Sequence, residues 1–366
     1  MMRRFPMRAR RRGVTLLELL VVASIMLTLA AVSVPTIKPM MESQQTSNAS
    51  AAVSTYLNRA RTRAMATGRS CGVTFEFFEG TWDELDPGDP DDDIGSACVI
   101  LRQVETPPYY TGLDMDANVT VLADTDGDGF VDDSVVLDPD SPYYGMSMRA
   151  LTPIDPHWTN FILDEKFPAI QFNSYGPYYP IFTVRDVVNP DNSSYFIVKL
   201  PGLELPSRLN VSFKVRRDPR PTMTAPIGLT QGTVVDLEYS GWGEGEFDCF
   251  ALGADVTVMF SPSGEVEYVQ DGYGTHIPTE MLYFLIGRWD RISIFGSDEF
   301  GYSLTEDGLW NYEDGSNFWV TINPRTGLVS TAEVNPPVNY TAGDFFGQIE
   351  ESREFGRISK RNLGGH

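Results

Sequence analysis

The pattern of apolar and polar positions changes character twice along the chain. Residues 14–34 form an aperiodic apolar run of 21 residues with no glycine, no proline and one charge, Glu18. Farther on, Ala49, Val53, Tyr56 or Leu57, Ala60 and Ala64 recur at intervals of three and four. That period predicts a helix with one buried stripe, ended by Gly68 and loosened near residues 35–40 by Pro39. From residue 70 the period shortens to two. Short runs alternate between apolar and polar residues, separated by Gly, Pro, Asn and Asp clusters, which predicts strands. The candidates are residues 73–78, 98–104, 119–122, 135–137, 169–172, 181–184, 195–200, 210–215, 233–239, 255–260, 265–270, 318–322 and 328–334. Two five-residue links, Phe260-Ser-Pro-Ser-Gly264 and Asn323-Pro-Arg-Thr-Gly327, place Pro early and Gly late, as a hairpin turn requires. Alternation in most strands points to antiparallel sheet with one wet face.

The expected fold class is therefore α+β: a long N-terminal helix, transmembrane in its first half, packed on an antiparallel β-sheet head with large loop insertions. A helix over residues 14–34 is about 31 Å long, close to the roughly 30 Å of a bilayer's hydrocarbon core. Arg3, Arg4, Arg8, Arg10, Arg11 and Arg12 precede it, with no acid among them. The positive-inside rule then leaves the N-terminus cytoplasmic and the head outside. A cleavable secretory signal would carry a shorter apolar core and a small-residue site on its far side. Here the small residue, Gly13, is on the near side. Glu18 is the odd residue, because a carboxylate in an apolar layer needs a partner.

Gly13, the acid at the fifth position after it and the arginine-rich leader together resemble the N-terminal signal of the type IV pilin superfamily. The resemblance implies cleavage after Gly13 by a prepilin peptidase and methylation of the new amine on Val14. It also implies pairing of Glu18 with the N-terminus of a neighbouring subunit. The long helix leading straight into strands, and the two hairpin segments, resemble the minor pseudopilins of the GspH/FimT type from type II secretion or type IV pilus systems. On this reading residues 1–13 are a leader, 14–35 a transmembrane and assembly helix, 36–69 its continuation, 70–335 the head and 336–366 a tail. Residues 79–230 are an insertion larger than that family usually carries. The implied partners are the peptidase, other pilins or pseudopilins, the inner-membrane assembly platform and secreted cargo. The implied location is the bacterial inner membrane, single pass, and then a filament.

One segment of the insertion carries metal chemistry of its own. Asp124, Asp126, Asp128 and Asp132 occupy positions 1, 3, 5 and 9 of a loop with Gly129 at position 6 and Asp133 following. Calcium takes six to eight oxygens, and alternating acids around a glycine turn aim them inward, with the Phe130 carbonyl as a further ligand. The spacing resembles EF-hand, dockerin and thrombospondin-type loops. It departs from an EF-hand in having Val135 at position 12 and strand-like flanks. A structural Ca2+ is the expectation, against a solvated acidic turn.

Composition narrows the function. The chain has 28 Lys+Arg against 50 Asp+Glu; without the six leader arginines the balance is 22 against 50, or −28. Such a surface disfavours nucleic acid, so Arg59, Arg61, Arg63 and Arg69 read as a helix face offsetting the acidic head before a DNA stripe. Three cysteines do not make a disulfide framework. In a hairpin of the first two strands, Cys98 falls opposite residue 77 and not opposite Cys71, and Cys249 has no evident mate. The histidines, His157, His276 and His366, have no zinc spacing, and there is no nucleophile elbow or P-loop. A non-enzymatic pilin-like subunit is the reading of choice. A membrane-anchored extracellular binding protein, and a minor pilin in adhesion or DNA uptake, remain open.

Overall fold

The structure, a computed structural model, describes residues 16–78, 93–94, 97–112, 118–122, 148–153, 165–173, 176, 178–184, 195–199, 208–230, 232–243, 245–247, 254–272, 274–292, 294–295, 309–338 and 345–357. A single helix, α1 (Leu16–Thr67), leads into β1 (Cys71–Phe77), β2 (Asp93–Ile94) and β3 (Ala97–Glu105). Six strands follow: β4 (Asn118–Leu122), β5 (Met148–Pro153), β6 (Ala169–Phe172), β7 (Tyr179–Val184), β8 (Tyr195–Lys199) and β9 (Arg208–Arg216). The chain then returns through β10 (Arg220–Pro221), β11 (Ile227–Gly228), β12 (Thr233–Trp242), β13 (Val256–Phe260), β14 (Val266–Gln270) and β15 (Thr275–His276). It finishes with β16 (Leu282–Arg288), β17 (Ile294–Phe295), β18 (Phe318–Ile322), β19 (Val329–Glu333) and the helix α2 (Phe345–Ser352).

The main sheet runs β15-β14-β13-β1-β3-β12-β16-β18-β19, with β10 and β11 also paired to β3. All its pairings are antiparallel. One face buries the stripe Ala49, Val53, Leu57, Ala60 and Ala64 of α1 against Val73, Phe75, Leu101, Val258, Phe284 and Val320. The residues picked out by the three-and-four spacing are thus the ones the sheet covers. Phe75 and Phe284 stack at 4.3 Å at the centre of this layer. The opposite face gathers Tyr239, Tyr283, Leu285, Tyr312, Trp319 and Ile349, the last from α2. The helix runs continuously through Pro35 and Pro39, where loosening was expected. Each proline removes one backbone donor, and the helix carries on past both.

Among the described residues of the stretch read as an insertion, β4-β5-β8-β7-β6-β9 close into a barrel. The chain enters it after β3 and leaves it after β9. At that joint β10 pairs with the end of β3, Arg220 opposite Glu105, and Tyr110 bridges to Val215. Two carboxylates fix it. Glu165, whose side chain is 1% exposed, accepts hydrogen bonds from Arg217 Nε (3.1 Å), Arg220 Nη2 (3.0 Å) and the Asp218 N–H (2.9 Å). Asp218 accepts from the Lys166 and Phe167 N–H groups. The Arg216 guanidinium lies 4.2 Å from the ring centre of Tyr268 in β14 and 5.4 Å from that of Tyr178.

Candidate assembly helix and its seat on the head

The two hairpin links sit side by side beneath the end of α1. Gly264 (φ +89°) and Gly327 (φ +61°) both take left-handed backbone conformations that cost a residue with a Cβ. The Val266 N–H donates to Pro324 O at 2.8 Å, joining the two turns, and a Cβ on Gly327 would strike the Gly264 carbonyl. Arg61 Nε donates to that same carbonyl at 2.9 Å. Arg63 donates to Glu105 Oε2 (3.0 Å) and Thr224 Oγ1 (2.9 Å). Two of the four arginines therefore fasten the helix to the head, which neither reading of them as a surface stripe foresaw. Arg59 and Arg69 are exposed.

At the other end of the seat, Glu42 pairs with Arg288 at 2.5 Å, and Arg288 also pairs with Asp290. Thr46 Oγ1 donates to Ser316 O at 2.8 Å. Arg291 pairs with Asp314 at 2.6 Å, holding the loop that receives the helix. These contacts mark where α1 leaves the head. Residues 16–41 extend beyond them, about 39 Å of helix at 1.5 Å per residue. The side chains described there, residues 16–28, 40 and 41, are mostly large apolar groups open to solvent, with Leu16 84% and Met40 77% exposed. Glu18 lies exposed among them, in the first turn of α1. Among the described residues, no helix is long and apolar enough to cross a membrane; the described side chains of the apolar run cover residues 16–28, about 20 Å.

Gly13 and Val14 lie outside the described residues, as do Asp124, Asp126, Asp128, Phe130, Asp132 and Asp133. The ends of the strands flanking the acidic loop are described. β4 closes at Leu122, β5 opens at Met148, and Leu122 pairs with Ala150. This is the barrel end opposite the joint at Arg216–Arg220. Cys98 lies opposite Phe77, as the hairpin argument requires, while Cys71 lies opposite Glu105. Both cysteines are buried and free, and burial raises both thiols. Cys249 is outside the described residues.

Residues 8–34 match the family model of the prokaryotic N-terminal methylation motif. The chain carries a prepilin-type N-terminus. The matched stretch contains Gly13, Val14 and Glu18, and supports a type IV pilin-like subunit that is processed by a peptidase and assembled with other pilins. No curated protein and no solved structure matches the chain.

The polar contacts that seat the helix were not legible beforehand. Glu42 and Arg288 are 246 positions apart, and neither belongs to a local motif. Glu165 and Asp218 at the barrel joint gave no signal either, because their partners are main-chain donors and arginines brought together by the fold.

Proposed function

We propose that this chain is a pseudopilin-type subunit of a type II secretion or type IV pilus-like filament, cleaved after Gly13 and methylated at Val14. Residues 14–34 hold it in the inner membrane, with the head outside, until an assembly platform draws it into the filament. Glu18 sets register by pairing with the N-terminal amine of a neighbour. The observation that carries the reading is the methylation motif running without a break into a helix whose other half is clamped to the head from Glu42 onward. Such a helix transmits the position of the filament core to the head, because the seat combines an apolar stripe with ion pairs at both ends. The head is non-enzymatic and presents a surface to other subunits or to cargo.

The proposal is tested by Glu18→Ala. The variant should be processed and retained in the membrane yet be lost from sheared filaments or from cross-linked pseudopilin complexes. Wild-type incorporation of that variant would favour a plain membrane-anchored binding protein. We also propose that residues 124–133 bind Ca2+ as a structural ion through Asp124, Asp126, Asp128, Asp132, Asp133 and the Phe130 carbonyl. Five acids within ten residues repel one another without a cation.

A further inference from the structure

An open cavity of about 810 Å3 lies between Trp242, Gly245 and residues 275–280. Its place on the head follows from the ladder of β12 and β16. Arg288, which clamps Glu42 where α1 leaves the head, ends β16, and Leu282, opposite Trp242, begins it. Six steps of strand, about 20 Å, therefore separate the cavity from the exit of the apolar helix. Both walls are held from within. Buried Arg353 donates to the Gly243 and Gly245 carbonyls, and the Trp242 ring packs edge to face with Phe247, centroids 5.5 Å apart. On the other wall, His276 Nε2 meets Asp271 Oδ1 at 3.0 Å, and the Asp271 side chain is 3% exposed. A carboxylate accepts, so the neutral imidazole carries its proton on Nε2 and keeps Nδ1 as an acceptor. The His276 ring lies 5.1 Å from that of Trp242. Glu280 is exposed, and its carboxylate lies over Gly243, where a Cβ would strike Oε2. Among the described residues that carboxylate has no hydrogen bond or ion pair.

We propose that this cavity takes the lysine side chain of a partner protein. Its ionisable groups offer acceptors, a carboxylate and an imidazole lone pair, beside an aromatic ring. An ammonium is their complement, with three donors and no acceptor, and it is attracted to an indole face. The methylene stem of a lysine finds apolar surface at the rim, where Ile277 is 77% exposed. The chain's net charge of −22 draws cationic partners toward it. Among the described residues no group of three His, Cys, Asp or Glu side chains gathers to hold a metal ion instead. The inference deepens the reading of the head as a surface for other subunits or cargo, and rests on it for the partner. Binding itself does not require assembly. Glu18→Ala should bind as the wild type does, so the two readings fail in different experiments.

The test is fluorescence anisotropy of fluorescein-labelled (Gly-Lys)3 amide titrated with the full chain in detergent. Salt is held at about 0.15 M, which screens long-range attraction. The lysyl peptide should bind, and its Nε-acetylated form should not. Glu280→Gln should weaken binding about tenfold and Trp242→Leu about fivefold. Glu333→Gln, which changes an exposed acid on the edge strand β19, should leave binding unchanged. Glu280→Gln should also melt at the wild-type temperature, which separates lost recognition from lost folding. No binding of the lysyl peptide, or binding that Glu280→Gln leaves unchanged, would overturn the proposal. Equal weakening by Glu280→Gln and Glu333→Gln would overturn it in favour of general attraction to the acidic surface, and displacement of the peptide by methyl glucoside in favour of a polyol site.

Discussion

Asp236 is fully buried in β12, where it accepts a hydrogen bond from Asn311 Nδ2 at 2.8 Å. The strand bulges just beyond it, and Ser240 bridges the gap in the ladder by donating to the Asp236 carbonyl while accepting the Leu285 N–H. Burial pushes the carboxyl up to about 8 from an ordinary 3.8. The folded protein therefore holds a proton that the unfolded chain has released across the window between those values. Folded stability must then fall as pH rises from near 4 to near 8. Asp236→Asn should remove that fall, so the variant should melt higher than the wild type at pH 8 and show little advantage at pH 4 in a pH series of thermal melts. Arg353 is the cationic counterpart. It is buried beyond α2 and donates to the carbonyls of Gly243 (2.9 Å) and Tyr239 (2.8 Å). It also lies over the rings of Tyr283 and Trp319. Burial lowers its pKa to about 10, so it remains charged at neutral pH. Arg353→Ala strips these carbonyls of their donor and should cost roughly 2–3 kcal/mol in denaturant unfolding.

At the scale of elements, the turns and the helix stripe were readable and the central strand was not. The apolar spacing from Ala49 to Ala64 identified the buried face of α1 because a helix packed on one side leaves a 3.6-residue period. The hairpins were readable because Pro and Gly at fixed offsets leave few backbone solutions. The structure adds that the two turns touch. Gly327→Ala should therefore cost more than Gly68→Ala in equilibrium unfolding: about 2–3 kcal/mol, for strain plus displacement of the Gly264 carbonyl, against about 1 kcal/mol. Gly68 also has a positive φ but open space around it. The segment Leu-Tyr-Phe-Leu-Ile-Gly-Arg of β16 showed no alternation because Phe284 and Ile286 face α1 while Tyr283 and Leu285 face the α2 side. A strand covered on both faces has no polar side to reveal it. The short β5 and the helix α2 were missed for the opposite reason, being brief elements fixed by their neighbours rather than by their own pattern.

At the scale of the whole molecule, three parts are joined at two seats. The helix is fastened to the sheet by an apolar stripe with Glu42–Arg288 at one end and Arg61 and Arg63 at the other. The barrel is fastened to the sheet by Glu165, Asp218 and Arg216. The strands of the barrel were largely legible one by one, but their closure was not, since it depends on the pairing of β4 with β9 across some 90 residues. The metal proposal belongs at this scale, because an ion bound by residues 124–133 would stabilise the folded state as a whole by mass action. Thermal melting of the full chain should shift down when calcium is removed with a chelator and recover when calcium is restored. An unchanged melting curve would end that proposal.

The measurement that bears most directly on the account is the intact mass and N-terminal sequence of the protein extracted from membranes of cells that contain a prepilin peptidase. The account predicts a chain that starts at Val14 and carries one added methyl group, and it predicts that Gly13→Ala leaves the leader of six arginines attached. Mature protein starting at Val14 in the Gly13→Ala variant, or wild-type protein that retains residues 1–13, would contradict it.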